Sequence, residues 1–101
     1  MAIAVPKAVA RGDYDRGILM CGTWIGVSIA ANKVPGAYAA LVSDAYSAER
    51  ARKSNNANIM ALGAQVTGPE LAKLLVRIFM ESGWVSGGRS EPKVQRIVDY
   101  A

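Results

Sequence analysis

The chain has 101 residues, 51% hydrophobic and 20% charged, with a net charge of +4. That length holds one domain with a modest core, and that composition is globular, which excludes a disordered, fibrous or two-domain chain. A single cysteine permits no internal disulfide, and the absence of histidine removes the commonest metal ligand and the commonest general base.

The start, Met1-Ala2-Ile3-Ala4-Val5-Pro6-Lys7, lacks the charged region and long apolar stretch of a signal peptide. No apolar run approaches the ~20 residues of a membrane span. The expectation is a reduced, soluble, cytoplasmic protein with no membrane partner. Residues 2–10 are alanine-rich and predict a helix interrupted near Pro6. Arg11-Gly12-Asp13-Tyr14-Asp15 is turn-like. Ile18-Leu19-Met20 reads as a strand buried on both faces, and 25–33 as a helix ending at Pro35-Gly36. Ala39-Ala40-Leu41-Val42 is a second strand. Asp44 is suited to cap a helix over 45–54, and Asn55-Asn56-Ala57 forms a connection. Asn58 to Leu62 is a third strand, closed by Gly63. Pro69 marks the first turn of a helix over 69–82, where Leu71, Leu74, Leu75 and Ile78 make an apolar face. A loop from Gly83 to Arg89 leads to a short terminal helix over 91–100.

Strands alternating with helices imply βαβ units and a parallel sheet. In such sheets ligands bind beyond the carboxyl ends of the strands. Cys21, Ser43-Asp44 and Gly63-Ala64-Gln65 all follow strands and gather on that edge. A thiol at a strand end before a helix meets the positive end of the helix dipole, which favours thiolate. The N–H groups of Gly22 to Gly26 face the same space and can cradle an oxyanion, and Thr23 adds a hydroxyl. The same residues also fit a small buried hydrophobe at a strand end. In Ser86-Gly87-Gly88-Arg89-Ser90-Glu91-Pro92-Lys93, Arg89 and Lys93 can address a phosphate, or they are solvated charges on a flexible loop. Lys53-Ser54-Asn55-Asn56-Ala57-Asn58 reads equally as a helix end stopped by asparagines. The basic residues are scattered and no aromatic stripe accompanies them, so no nucleic-acid partner is expected.

Three stretches, "DRGILMCGTWIGVSIAANKVPG", "SDAYSAERARKSNNANIMALGAQVTGPELAK" and "GGRSEPKV", cover nearly the whole chain. In wording and order they resemble the ribose-5-phosphate isomerase B / galactose-6-phosphate isomerase family. The resemblance implies an α/β fold: a three-layer, Rossmann-like parallel sheet with flanking helices. It implies a single sugar-phosphate isomerase domain over 1–101 that lacks the family's first strand-helix-strand unit. It also implies an aldose–ketose isomerase of small sugar phosphates that works through an enediolate without metal or cofactor. On the family's pattern Cys21 is the base and Thr23 assists. The amides of Gly22 and Gly26 steady the oxyanion, Asn55 contacts the phosphorylated sugar, and Arg89 and Lys93 hold its phosphate. The family's site lies between two subunits, so a homodimer or higher homo-oligomer is implied.

Three departures stand out. Ribose-specific members carry a ring-opening histidine at the position of Ser54. A tetrose 4-phosphate cannot close a five-membered ring through O4 and needs no such group. The wording "SNNA", "GRS" and "SAERA" is similar to the erythrulose-4-phosphate isomerase branch. The missing first strand would lie beside Ile18-Leu19-Met20 and leaves an unpaired edge, which residues 2–10 or another subunit can cover. Trp24 stands where the family has glycine. If the turn requires positive φ, or a carbonyl lies close, its side chain is strained or obstructive. The alternative function is a non-catalytic remnant or assembly subunit of the same family.

Overall fold

A computed structural model describes residues 3–100. The elements are α1 (Ala4–Ala10), β1 (Gly17–Cys21), α2 (Ile25–Asn32), β2 (Ala39–Leu41), α3 (Ala45–Lys53), β3 (Ile59–Gly63), α4 (Pro69–Glu81) and α5 (Glu91–Asp99). All three strands run parallel in the order β1-β3-β2. The chain passes from one edge to the other through α2, then returns through α3 to the centre.

The centre of the sheet is apolar on both faces, as a strand covered from two sides must be. Every residue of β3 is buried. Met60 and Leu62 face a core of Ala48 and Ala51 from α3 and Ala72, Leu75 and Phe79 from α4. Ile59 and Ala61 face Val9 from α1, Leu19 and Ala31. Each face is thus closed by one pair of helices, which makes the three layers expected from the alternating pattern.

Local chemistry sets the helix ends. The Asp44 carboxylate accepts the backbone N–H of Ser47 at 2.9 Å and its hydroxyl at 2.7 Å, the geometry of an N-cap. Pro69 opens α4, where its missing N–H costs nothing. Pro6 does not interrupt a helix, contrary to the sequence expectation. It lies in the first turn of α1, among residues whose N–H groups have no intrahelical acceptor, and it is buried.

The edge expectation is also refined. β1 pairs only with β3 among the described residues. Helix α1 does not run along the free edge. It packs on the sheet face at Gly17, where an added Cβ would lie 2.8 Å from Val5 Cγ1 and 3.2 Å from Val9 Cγ2. Met20 stays 57% exposed beside that edge, so Ile18-Leu19-Met20 is not buried on both faces as the sequence suggests: only β3, flanked by a strand on each side, is.

Candidate active site

Cys21 ends β1, and its residue is exposed. It pairs in register with Gly63, the last residue of β3. Beyond the ladder the two chains stay clamped: Ala64 N–H donates to the Cys21 carbonyl at 2.6 Å, and Gln65 N–H to the Gly22 carbonyl at 2.9 Å. The turn that follows is therefore held by the carbonyls of Cys21 and Gly22. No acceptor among the described residues takes the N–H of Thr23, Trp24, Ile25, Gly26 or Val27. These are the donors that a helix N-terminus leaves free. Thr23 is exposed, and nothing lies within 4 Å of a Cβ built on Gly26. An exposed thiol thus sits beside a row of unpaired donors at the carboxyl edge.

Trp24 is the N-cap of α2 with φ −98° and ψ 6°. The turn does not use the left-handed region, so the tryptophan carries no such strain. Its ring turns inward, with Cε3 2.7 Å from where a Cβ of Gly63 would be. There it packs against the core of Leu19, Ala31 and Ala61. Its Nε1 is buried and has no hydrogen-bond partner among the described residues. Glycine at 63 is what lets the indole approach the sheet this closely, one strand spacing, about 5 Å, from the strand that carries the thiol.

Other residues at this edge have settled roles. Ser43-Asp44 was grouped there from sequence, but Asp44 is occupied in capping α3. Hydrogen bonds from the Ser47 hydroxyl, and then its backbone N–H, hold the Asp44 carboxyl below its ordinary value of 3.8. In the sequence Gln65 only follows a strand. Its side-chain Nε2 lies 3.2 Å from where a Cβ of Gly22 would be, so the amide roofs the turn. Sequence supplies the strand-end position of Gln65 but not this contact, which follows from the β1–β3 register.

The second group forms at the opposite end. Asn55 lies between α3 and β3, before the residue that pairs with Gly17. Lys93 Nζ donates to Asn55 Oδ1 at 3.0 Å, and Asn55 Nδ2 donates to the Arg50 carbonyl at 2.9 Å. Arg50 also donates from Nη1 to the Ser54 hydroxyl at 3.0 Å. Arg89 is exposed in the loop before α5, one helical turn from Lys93. Gly87 takes φ +82° there, and its N–H donates to Glu91 at 3.0 Å. The structure therefore unites Asn55 with Lys93, and Cys21 with the turn amides. It does not unite the two groups: they stand at opposite ends of parallel strands about 13 Å long.

Comparison with known proteins places this arrangement. The model of the Ribose/Galactose Isomerase family matches residues 1–97. The chain is 51% identical over 100 residues to D-erythrulose-4-phosphate isomerase of Pectobacterium atrosepticum, covering 99% of this chain and 65% of that protein. It is 55% identical over 94 residues to ribose-5-P isomerase B of Listeria innocua, covering 93% of this chain and 63% of that one. The fold matches type B ribose 5-phosphate isomerase of Trypanosoma brucei with a TM-score of 0.91 and 43% identity, over 96% of this chain and 65% of that one. The chain thus spans less than two thirds of the length of these relatives. With the fold, the ordered motifs and the match to all but the last few residues in agreement, this chain belongs to the ribose/galactose isomerase family.

Proposed function

We propose that this chain contributes to an aldose–ketose isomerase of a tetrose or pentose phosphate, with Cys21 as the base. The observation that carries this reading is the exposed Cys21 beside the unpaired N–H groups of residues 23–27. In the proposed step the Cys21 thiolate removes the proton from C2 of the open-chain aldose. The C2–H electron pair forms the C1–C2 double bond, and the carbonyl electrons move onto O1. The turn amides stabilise that oxyanion. Return of the proton to C1, with transfer of the O2 proton to O1, gives the ketose. No electron leaves the substrate, so no redox partner is needed.

Asn55, Arg89 and Lys93 serve the phosphate end in this reading. Because they stand a strand length from Cys21 within one chain, the complete site forms between two copies: Cys21 and Thr23 from one, Asn55 and the basic pair from the other. Exposed Ile97, Val98 and Tyr100 on and beside α5 give such a contact apolar surface. Ser54 stands at the ring-opening position and holds a hydrogen bond from Arg50. A hydroxyl does not titrate near neutrality, which favours a substrate that is already open, such as a tetrose phosphate.

Turnover of erythrulose 4-phosphate and ribose 5-phosphate, measured on the protein and on Cys21→Ala, tests this. The expected result is turnover that falls roughly a hundredfold or more in the variant. Equal rates in the two proteins contradict the assignment of the base.

A further inference from the structure

At the amino end of the sheet lies a cavity of about 610 Å³, lined by Asp15, Arg16, Tyr38, Arg52, Asn56, Asn58 and Met80. None of the residues assigned above to the isomerase site lines it. Its main feature is Arg52, which is only 8% exposed. One guanidinium nitrogen, Nη1, donates to the Ala57 carbonyl at 2.7 Å and to Asn56 Oδ1 at 3.0 Å. Its Nε is buried and has no acceptor among the described residues. Arg16 reaches the same cavity while its Nη1 donates to the Phe79 and Met80 carbonyls, both at 2.8 Å.

Neither arginine has a counter-ion among the described residues. The ion pairs among the described residues use Arg11, Arg50, Lys53 and Lys73. Asp15 lines the cavity and forms no ion pair with either guanidinium. Burial, and then the charge of Arg16, pull the Arg52 guanidinium below its ordinary value. Leaving a buried cation unpaired is costly, and native proteins rarely do so without a partner. The remaining donors point to what that partner is. Asn58 is engaged at both ends of its amide, accepting from Tyr38 N–H and donating to the Gly36 carbonyl. The Asn56 amide nitrogen and the Tyr38 hydroxyl carry no hydrogen bond among the described residues. The cavity therefore offers several donors and a net positive charge.

We infer that this cavity is a second anion site, which takes a phosphate monoester between Arg16 and Arg52. Two guanidinium groups suit a phosphoryl dianion, and Nη2 of each carries no hydrogen bond among the described residues. Asn56 and Tyr38 address the ester oxygen and the organic part. The volume exceeds what a bare phosphate fills and lies within the range of small-molecule sites.

The test follows backbone amide shifts of the nitrogen-15-labelled chain during titration with glycerol phosphate. Inorganic phosphate and glycerol are parallel arms, and Lys93→Ala and Arg16→Gln are the variants. The proposal expects saturable shifts at Tyr38, Asn56 and Asn58 with glycerol phosphate. Those shifts persist in Lys93→Ala, weaken about tenfold in Arg16→Gln, and are absent with glycerol. Shifts confined to residues 86–93, shifts lost in Lys93→Ala, or no response at the three residues overturn it. Binding of inorganic phosphate as tight as that of the ester overturns the monoester assignment. The wild-type titration decides the matter even if a variant does not fold.

Discussion

At the scale of single residues, Trp24 shows how far sequence reaches. A tryptophan in a glycine turn predicts strain or obstruction, since glycine alone takes positive φ without penalty. The turn enters α2 through φ −98° instead, and the ring goes into the core over Gly63. Neither fact is legible locally, because φ at the cap and the space above Gly63 both depend on where α2 lies on the sheet. The unpaired buried Nε1 gives a prediction. Trp24→Phe keeps the ring contact, removes the orphaned donor and leaves stability within about 1 kcal/mol. Trp24→Gly empties the space over Gly63 and costs about 3 kcal/mol. Urea midpoints of the two variants check this. Asp44, by contrast, was readable from its position before an alanine-rich helix, and it caps as expected. Its carboxyl is held below 3.8 in the folded chain, so its contribution to stability is present above that pH. The contribution is lost as pH falls through the lower folded value. Asp44→Ala therefore melts below wild type at neutral pH, and the two melting curves converge in strong acid.

At the scale of elements, periodicity and punctuation carried most of the fold. Pro69 and the spacing of the α4 leucines located that helix, although its buried face is Ala72, Leu75 and Phe79 while Leu71 and Leu74 stay exposed, and glycine and asparagine marked the strand ends. Helix α1 was misjudged at Pro6 because an internal proline breaks a helix only beyond its first turn, and the start at Ala4 is not marked by a capping side chain. The sheet order was not legible, since it requires knowing that β3 enters between β1 and β2. The docking of α1 depends on Gly17, where no side chain fits beneath Val5. Gly17→Ala forces α1 off the sheet or bends β1, and costs about 1–3 kcal/mol by overpacking. Chemical denaturation measures that cost. A helix signal that weakens together with the midpoint locates the damage in α1.

At the scale of the whole molecule, the sequence named the candidate residues but not their separation. Asn55 and Lys93 are far apart in sequence and meet through a hydrogen bond. Cys21 and Asn55 both belong to the wording that marks the family, yet they stand at opposite ends of the sheet. That division follows from topology: in a parallel sheet a residue ending a strand and a residue preceding its neighbour cannot share an end. The account therefore requires a second copy, and a protein that sediments as a dimer is expected. Its central claim is a site shared between copies, and mixed variants test it most directly. Cys21→Ala and Lys93→Ala are each expected to be nearly inactive alone and, mixed equally after dissociation, to form hybrid dimers with one intact site. The account predicts recovery of roughly a quarter of the wild-type isomerase rate. A mixture no more active than the two variants measured separately would contradict it.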